Sequence, residues 1–289
     1  NVNLTVPVSK LTIPLGKKLL ISINIDTTIC NFGILTIGNN NEMVQLNHKT
    51  IYNYGTITIN KTFTNKGKII NYSNINIDGT FTNKGKIINY SNINIEGTFT
   101  NIGKITNEGK ITEGELTNGG EIINGGEITN VTLTNEGEII NGGKIKYTYK
   151  IINVRRGKIT NKGEITNGGE ITNGGEIING GKITNGGKIT NEGKITNEGK
   201  INTTNFHNKF NGIIINSLEI GFEISDPESS VNYGKFENAA LNSKVDGKYN
   251  INKYPRFTNR YMSVDQIHDI IHNSKNFTVD SDLTITRES

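Results

Sequence analysis

One large apolar residue recurs every six positions through the middle of the chain. From Gly157 to Asn202 the repeated unit is mostly Gly-Lys/Glu-Ile-Thr-Asn followed by one variable residue. The apolar ladder of this run comprises Ile159, Ile165, Ile171, Ile177, Ile183, Ile189, Ile195 and Ile201. A period of six is not helical, and it suits a short strand followed by a corner.

Each six-residue unit predicts the direction of its side chains. The two residues flanking the ladder residue should point outward, and the residue two before it, mostly Gly, should point inward. The Asn-containing pair that follows should form the turn, because Asn and Gly tolerate left-handed backbone angles.

A longer repeat sets the number of strands in each turn of the chain. The 18-residue segment 62–79 recurs almost unchanged as 80–97, so three six-residue units form one coil. Columns at this spacing include Phe63, Phe81 and Phe99, and also Tyr54, Tyr72 and Tyr90. The sequence therefore predicts an all-β, single-stranded parallel β-helix (a β-solenoid) with three hexads per coil and a triangular cross-section.

From Ile105 onward, charged residues precede most ladder residues and mostly alternate in sign between adjacent predicted coils. The predicted charge ladder has Lys158 over Glu176 over Lys194, and Glu164 over Lys182. Two like-charge pairs, Glu121 with Glu138 and Lys182 with Lys200, break the alternation. Opposite pairs favour this register, because a shifted coil would place like charges together.

The repeat divides the chain into three predicted regions. Residues 1–50 should form an N-terminal cap and irregular first coils, 51–204 the hexapeptide-repeat β-solenoid, and 205–289 a C-terminal cap or assembly segment. A capping box at Ser263–Gln266 predicts a short helix near 264–273. His268 and His272 on that helix are weak metal candidates without a third ligand, so we predict no metal site.

The composition excludes several classes of protein. The chain of 289 residues holds 48 Ile and 46 Asn but a single cysteine, Cys30, which excludes a disulfide framework. No apolar run long enough to span a membrane occurs, and the first residues are not a signal peptide. A net charge of +4 with interleaved signs gives little support for nucleic-acid binding.

The small-x-Ile hexads with 18 residues per turn resemble the left-handed parallel β-helix of hexapeptide-repeat proteins over roughly 51–204. The Asn- and Gly-rich texture also resembles secreted adhesin-like repeats, which form right-handed helices, so handedness stays open. The Ile-, Asn- and Lys-rich composition resembles the repeat proteins of giant viruses and low-GC organisms.

The hexapeptide resemblance raises the question of enzymatic activity. Acyltransferases and carbonic anhydrases of that fold need histidines on the shaft, whereas only His48 and His207 flank this repeat. We therefore expect no enzyme, no catalytic residues and no cofactor. Arg155 and Arg156 lie in a two-residue insertion and could bind phosphate or a glycan carboxylate. A solvated bulge would explain the insertion equally well.

These observations predict a non-enzymatic structural shaft or fibre-like protein of a virion or an extracellular or cell surface. Its expected partners are copies of itself, such as a trimer, or capsid and surface proteins, with no nucleic acid. The main alternative is a carbohydrate-binding adhesin module with glycans as ligands. A further alternative is an ice-binding protein, suggested by regular threonines and weakened by the charged residues beside them: Thr160, Thr166, Thr172, Thr184, Thr190 and Thr196.

Overall fold

The polypeptide forms a parallel β-solenoid of about 11 turns. The coil has about 18 residues, as the repeat predicted. The computed structural model describes residues 10–38, 43–217, 222–226, 230–232, 234–238 and 257–259. The strands of these residues pair in parallel, and the described part of the chain contains no helix. The helix predicted near 264–273, with His268 and His272, lies outside the described residues.

The N-terminal unit extends to Tyr149 and has three stacks of strands, here called its first, second and third faces. The first face comprises β1 (Lys10–Ile13), β3 (Thr28–Asn31), β6 (Thr50–Asn53), β9 (Lys68–Asn71), β12 (Lys86–Asn89), β15 (Lys104–Asn107), β18 (Glu121–Asn124) and β21 (Glu138–Asn141). The second comprises β2 (Lys18–Ile21), β4 (Ile34–Ile37), β7 (Thr56–Ile59), β10 (Asn74–Ile77), β13 (Asn92–Ile95), β16 (Lys110–Thr112), β19 (Glu127–Thr129) and the start of β22 (Lys144–Asn153). The third comprises β5 (Val44–Leu46), β8 (Thr62–Asn65), β11 (Thr80–Asn83), β14 (Thr98–Asn101), β17 (Glu115–Asn118) and β20 (Thr132–Asn135).

The C-terminal unit begins at Lys150 and is built in the same way. One stack comprises β23 (Lys158–Asn161), β25 (Glu176–Asn179), β27 (Lys194–Asn197), β29 (Ile213–Asn216), β32 (Lys235–Asn238) and β33 (Phe257–Asn259). The other strands are β24 (Glu164–Asn173), β26 (Lys182–Asn191), β28 (Lys200–Asn208), β30 (Phe222–Ile224) and β31 (Val231–Asn232), of which the first three continue round a corner. Pairing continues beyond residue 204, since Phe206 lies opposite Ile189 and Phe222 opposite Ile201.

The register follows the repeat spacing and its deletions. Strand β12 pairs with β15 at an offset of 18 residues, as in Ile87 with Ile105. The next pairing, Ile105 with Ile122, has one residue fewer. Glu113 and Gly114, which lie in the shortened coil, have positive φ angles of 63° and 67°. A left-handed pair turns the chain within fewer residues, so the deletion is absorbed at a corner and the ladder keeps its register.

The interior contains two side chains from most strands rather than one. Strand residues alternate between half-exposed and buried positions, so that the ladder residue and the residue two after it, usually Asn, both point inward. The prediction that the glycine two before the ladder residue points inward is wrong. Gly85 is half-exposed at a corner, where an added Cβ would overlap the Gly67 carbonyl oxygen. Glycine is needed there because successive backbones approach closely.

Candidate functional site

Buried asparagines form hydrogen-bonded ladders along the interior of the N-terminal unit. On the first face each Nδ2 donates to the Oδ1 of the next turn at 2.7–2.8 Å, through Asn31, Asn53, Asn71, Asn89, Asn107, Asn124 and Asn141. A second ladder on the third face runs through Asn65, Asn83, Asn101, Asn118 and Asn135. All twelve of these residues are completely buried (0%).

The C-terminal unit has equivalent ladders. Asn161 donates to Asn179, and Asn179 to Asn197, at 2.7 and 2.8 Å. Each amide also donates a hydrogen bond within the corner that follows its own strand. For example, Asn179 Nδ2 donates to the Gly181 carbonyl at 3.2 Å. The Asn column is therefore an internal hydrogen-bond network that links turns and fixes corners, and it is not available to a ligand.

The predicted core ladder lies inside the solenoid. The eight isoleucines from Ile159 to Ile201 are 1–4% exposed, and Phe63, Phe81 and Phe99 are fully buried. The three phenylalanine rings stack, with centroids 5.3 and 4.9 Å apart. These side chains stabilise the fold, and no ligand can reach them.

The predicted charge ladder lies on the outer surface with the expected register. Lys158 is opposite Glu176, and Lys194 Nζ lies 3.4 Å from a Glu176 carboxylate oxygen. The Lys182 and Glu164 side chains are 3.9 Å apart. Because these side chains are partly exposed, each pair contributes roughly 0–1 kcal/mol, and their main effect is on register.

A column of stacked aromatic rings lies at the corner that follows the first face, and we call it the aromatic corner. It comprises Phe32, Tyr54, Tyr72 and Tyr90, with neighbouring centroids 4.9–5.2 Å apart and ring planes within 4–11° of parallel. The four side chains are 42–50% exposed. Stacked rings cover each other's faces and leave their edges accessible, so this corner presents a rigid aromatic surface.

The sequence already showed the tyrosine column, but not where its side chains point. Each of these residues directly follows an inward Asn at the end of a strand, and its direction is set by the backbone angles of the corner. The Tyr72 phenol lies at the surface between two rings, and its pKa is raised. Partial desolvation is the main cause, followed by the charges of Tyr54 and Tyr90.

The outer surface of the first face differs from that of the other two faces of the N-terminal unit. In strands β9, β12, β15, β18 and β21 its apolar column, formed by the residue after each ladder residue, comprises Ile70, Ile88, Thr106, Ile123 and Ile140. On the second and third faces this position holds Thr or Asn in the same coils. In the same five strands its charged column, formed by the residue before each ladder residue, comprises Lys68, Lys86, Lys104, Glu121 and Glu138.

The insertion at Arg155 and Arg156 forms a turn beside an open cleft. The Gly157 amide donates to the Val154 carbonyl at 2.8 Å. The cleft, of about 640 Å³, is lined by Val154, Arg155 and Glu192 among others. Glu192 also pairs with Lys209 at 2.7 Å, so the cleft wall contains both signs of charge. Mixed charge gives this cleft no clear preference for an anion.

Within the described residues, no group of three His, Cys, Asp or Glu side chains is arranged to hold a metal ion. None of the residues that the structure describes belongs to a helix of membrane-spanning length and apolarity.

The stacked turns, buried amide ladders and patterned outer columns define a repeat β-helix protein. Residues 20–205, more than half of the chain, match the family described as Haemagglutinin repeat, and the chain belongs to this family. No curated protein and no solved structure matches the chain. Family and fold together indicate a surface or adhesin-like repeat protein, located outside the cell or on its surface.

Proposed function

We propose that this protein is a non-enzymatic surface adhesin that contacts carbohydrate through its aromatic corner. The observation that carries the proposal is the exposed stack of Phe32, Tyr54, Tyr72 and Tyr90. The family match supports an adhesive role, and the internal ladders supply a rigid support for the corner. Location on a virion and assembly into a fibre remain predictions.

The geometry of the corner suits an extended, repetitive ligand. Each turn places one aromatic side chain at the corner, at the spacing of stacked strands, about 4.7–4.9 Å. That spacing is close to the length of one pyranose unit in an extended polysaccharide. Because the rings pack on each other, their rotamers are fixed before a ligand arrives, which lowers the entropic cost of binding.

Polar groups lie beside the rings at the start of the second face. Asn92 Nδ2 donates to Asn74 Oδ1 at 3.1 Å in an exposed pair of amides. Amide and phenol groups both donate and accept hydrogen bonds, as the hydroxyl groups of sugars require. We expect a sugar chain to lie along the corner, contacting ring edges on one side and amides on the other.

Glycan-array binding of the full chain tests the proposal. The triple variant Tyr54→Ser, Tyr72→Ser and Tyr90→Ser should lose binding, because it removes both the ring edges and the fixed phenols. A matched control, Tyr149→Ser with Phe210→Ser, removes exposed aromatic residues away from the corner (70% and 67% exposed) and should bind normally. Far-UV circular dichroism would verify that both variants remain folded.

A conservative triple variant separates the two kinds of contact. Tyr54→Phe, Tyr72→Phe and Tyr90→Phe keeps the stack and removes three hydroxyl groups, each contributing about 0.5–1.5 kcal/mol if it bonds the ligand. We expect weakened but detectable binding. Absence of glycan binding by the unmodified chain, or equal binding by the serine triple variant, would show that the proposal is wrong.

A further inference from the structure

The apolar column of the first face forms a contiguous stripe on the outer surface. Ile70 is 8% exposed, and Ile88, Thr106, Ile123 and Ile140 are each half-exposed. Equivalent positions on the third face of the same coils are all threonine: Thr64, Thr82, Thr100, Thr117 and Thr134. A solvated sheet face has no need of isoleucine, so this stripe points to contact with another apolar surface.

The charged column beside it separates its charges instead of alternating them. Lys68, Lys86 and Lys104 lie in register with one another, and Glu121 lies in register with Glu138. Like charges in register destabilise a sheet, and the C-terminal unit avoids this in Lys158, Glu176 and Lys194. The segregated order therefore opposes the stability of the single chain, which is typical of a surface selected for binding.

Within strands β9, β12, β15, β18 and β21, both columns are arranged symmetrically about strand β15. The apolar order Ile-Ile-Thr-Ile-Ile is the same in both directions from Thr106. The charged residues on one side of Lys104 are lysines, and those on the other side are glutamates. Lys104 Nζ itself lies 2.8 Å from the Glu121 carboxylate of its own chain. A surface with these two properties is complementary to itself when rotated by half a turn.

We propose that the first face of the N-terminal unit binds a second copy of the chain in antiparallel orientation. The two-fold axis runs parallel to the strands at β15. Rotation about this axis reverses the order of the coils in the second copy and places each column opposite the same column of the partner. Ile88 then meets the partner's Ile123, whereas Ile70, at 8% exposed, contributes little to the contact with the partner's Ile140. Lys86 meets the partner's Glu121, and Lys68 meets the partner's Glu138, each contact occurring twice.

The size of this face sets the strength of the dimer. Five strands with their corners cover about 20 Å by about 24 Å, or roughly 480 Å² per copy, from standard strand spacings. The total of about 1,000 Å² is at the lower end for specific protein interfaces. The dimer should therefore be weak, reversible and dependent on concentration, and it should weaken as salt screens its ion pairs.

Charge reversal tests the pairing without threatening the fold. Lys68→Glu places a carboxylate beside Lys86 on the next strand, and Glu138→Lys places an ammonium group beside Glu121. Lys68→Glu therefore relieves a like-charge contact within the chain, and each single variant creates two like-charge contacts across the proposed interface. Sedimentation equilibrium should show dimerisation weakened about ten-fold in each single variant. The double variant should recover to within about three-fold of the unmodified chain, because the pairs are restored with opposite polarity.

A second variant tests the apolar column. Ile88→Thr with Ile123→Thr installs the residue that the third face uses, so we expect folding to be retained and dimerisation lost. A monomeric unmodified chain at low salt, single charge variants that dimerise normally, or a double variant that fails to recover would each overturn the proposal. The serine triple variant of the aromatic corner should still dimerise, so failure of glycan binding and failure of dimerisation are separate outcomes.

Discussion

Replacing the buried Asn89 by alanine tests whether the amide ladders hold successive turns together. Asn89 Oδ1 accepts a hydrogen bond from Asn71 at 2.8 Å, and its Nδ2 donates to Asn107 Oδ1 at 2.7 Å. The same Nδ2 donates to the Ser91 carbonyl at 2.7 Å. Because Asn89 has no solvent exposure (0%), water cannot replace these partners.

The expected loss of stability follows from the groups that alanine leaves behind. Asn107 Oδ1 loses the Asn89 donor inside the solenoid, and an unpaired buried acceptor costs about 1–3 kcal/mol. The other ladder bond and the corner bond contribute about 1 kcal/mol each. We therefore expect Asn89→Ala to lower the free energy of unfolding by about 3–5 kcal/mol.

Urea unfolding followed by far-UV circular dichroism measures this change, with Asn92→Ala as the matched control. Asn92 lies in the same coil and forms an amide pair with Asn74, but it is exposed. Its replacement should change stability by no more than about 0.5 kcal/mol. If the two variants unfold at the same urea concentration, the ladder does not hold the turns together, and the argument from buried amides fails.

Four further predictions follow from the same geometry. Gly85→Ala should unfold or distort the local turns, because its added Cβ would overlap the backbone of the neighbouring turn. Gly168→Ala should be harmless, because no atom lies within 4 Å of the Cβ added there, and thermal unfolding compares the two variants. Deleting residues 80–97 should leave a folded chain with one turn fewer, and cooperative unfolding with reduced enthalpy would show this; loss of β-structure would contradict it. The raised pKa of Tyr72 implies stability that is present below the ordinary phenol pKa and lost as pH rises through the folded value; in an absorbance titration, Tyr72→Phe should remove the late-ionising phenol. Lys194→Gln should cost at most about 1 kcal/mol and remove a salt-dependent part of stability, since its pair with Glu176 is exposed; equal salt dependence in both proteins would contradict this.

The aromatic corner and the apolar column of the first face are formed by neighbouring residues of the same strands. Tyr72 follows the inward Asn71, while Ile70 precedes it on the outer surface. The proposed glycan binding at the corner and the proposed self-association on the face therefore use different side chains. A long glycan would nevertheless pass close to the partner copy, so we expect the two activities to influence each other.

The sequence alone determined the strand period, the 18-residue coil and the register of the ladder. A solenoid repeat contacts only its neighbours, so spacing along the chain translates directly into stacking in space. For this reason the repeat spacing by itself places Ile159 opposite Ile177 on adjacent coils, which is where the two residues lie. The same repeat spacing also predicts which Lys and Glu residues lie opposite each other on adjacent coils.

The tertiary structure alone decided what happens at the corners. Alternation fixes side-chain direction within a strand, but backbone angles change where the chain turns, so alternation does not extend through the corner. The repeat pattern therefore predicts Gly85 in the interior and Asn83 in the turn, whereas the structure places Gly85 at the corner and Asn83 inside. The exposed stack of Tyr54, Tyr72 and Tyr90 also depends on these corner angles, because they direct successive rings outward and parallel.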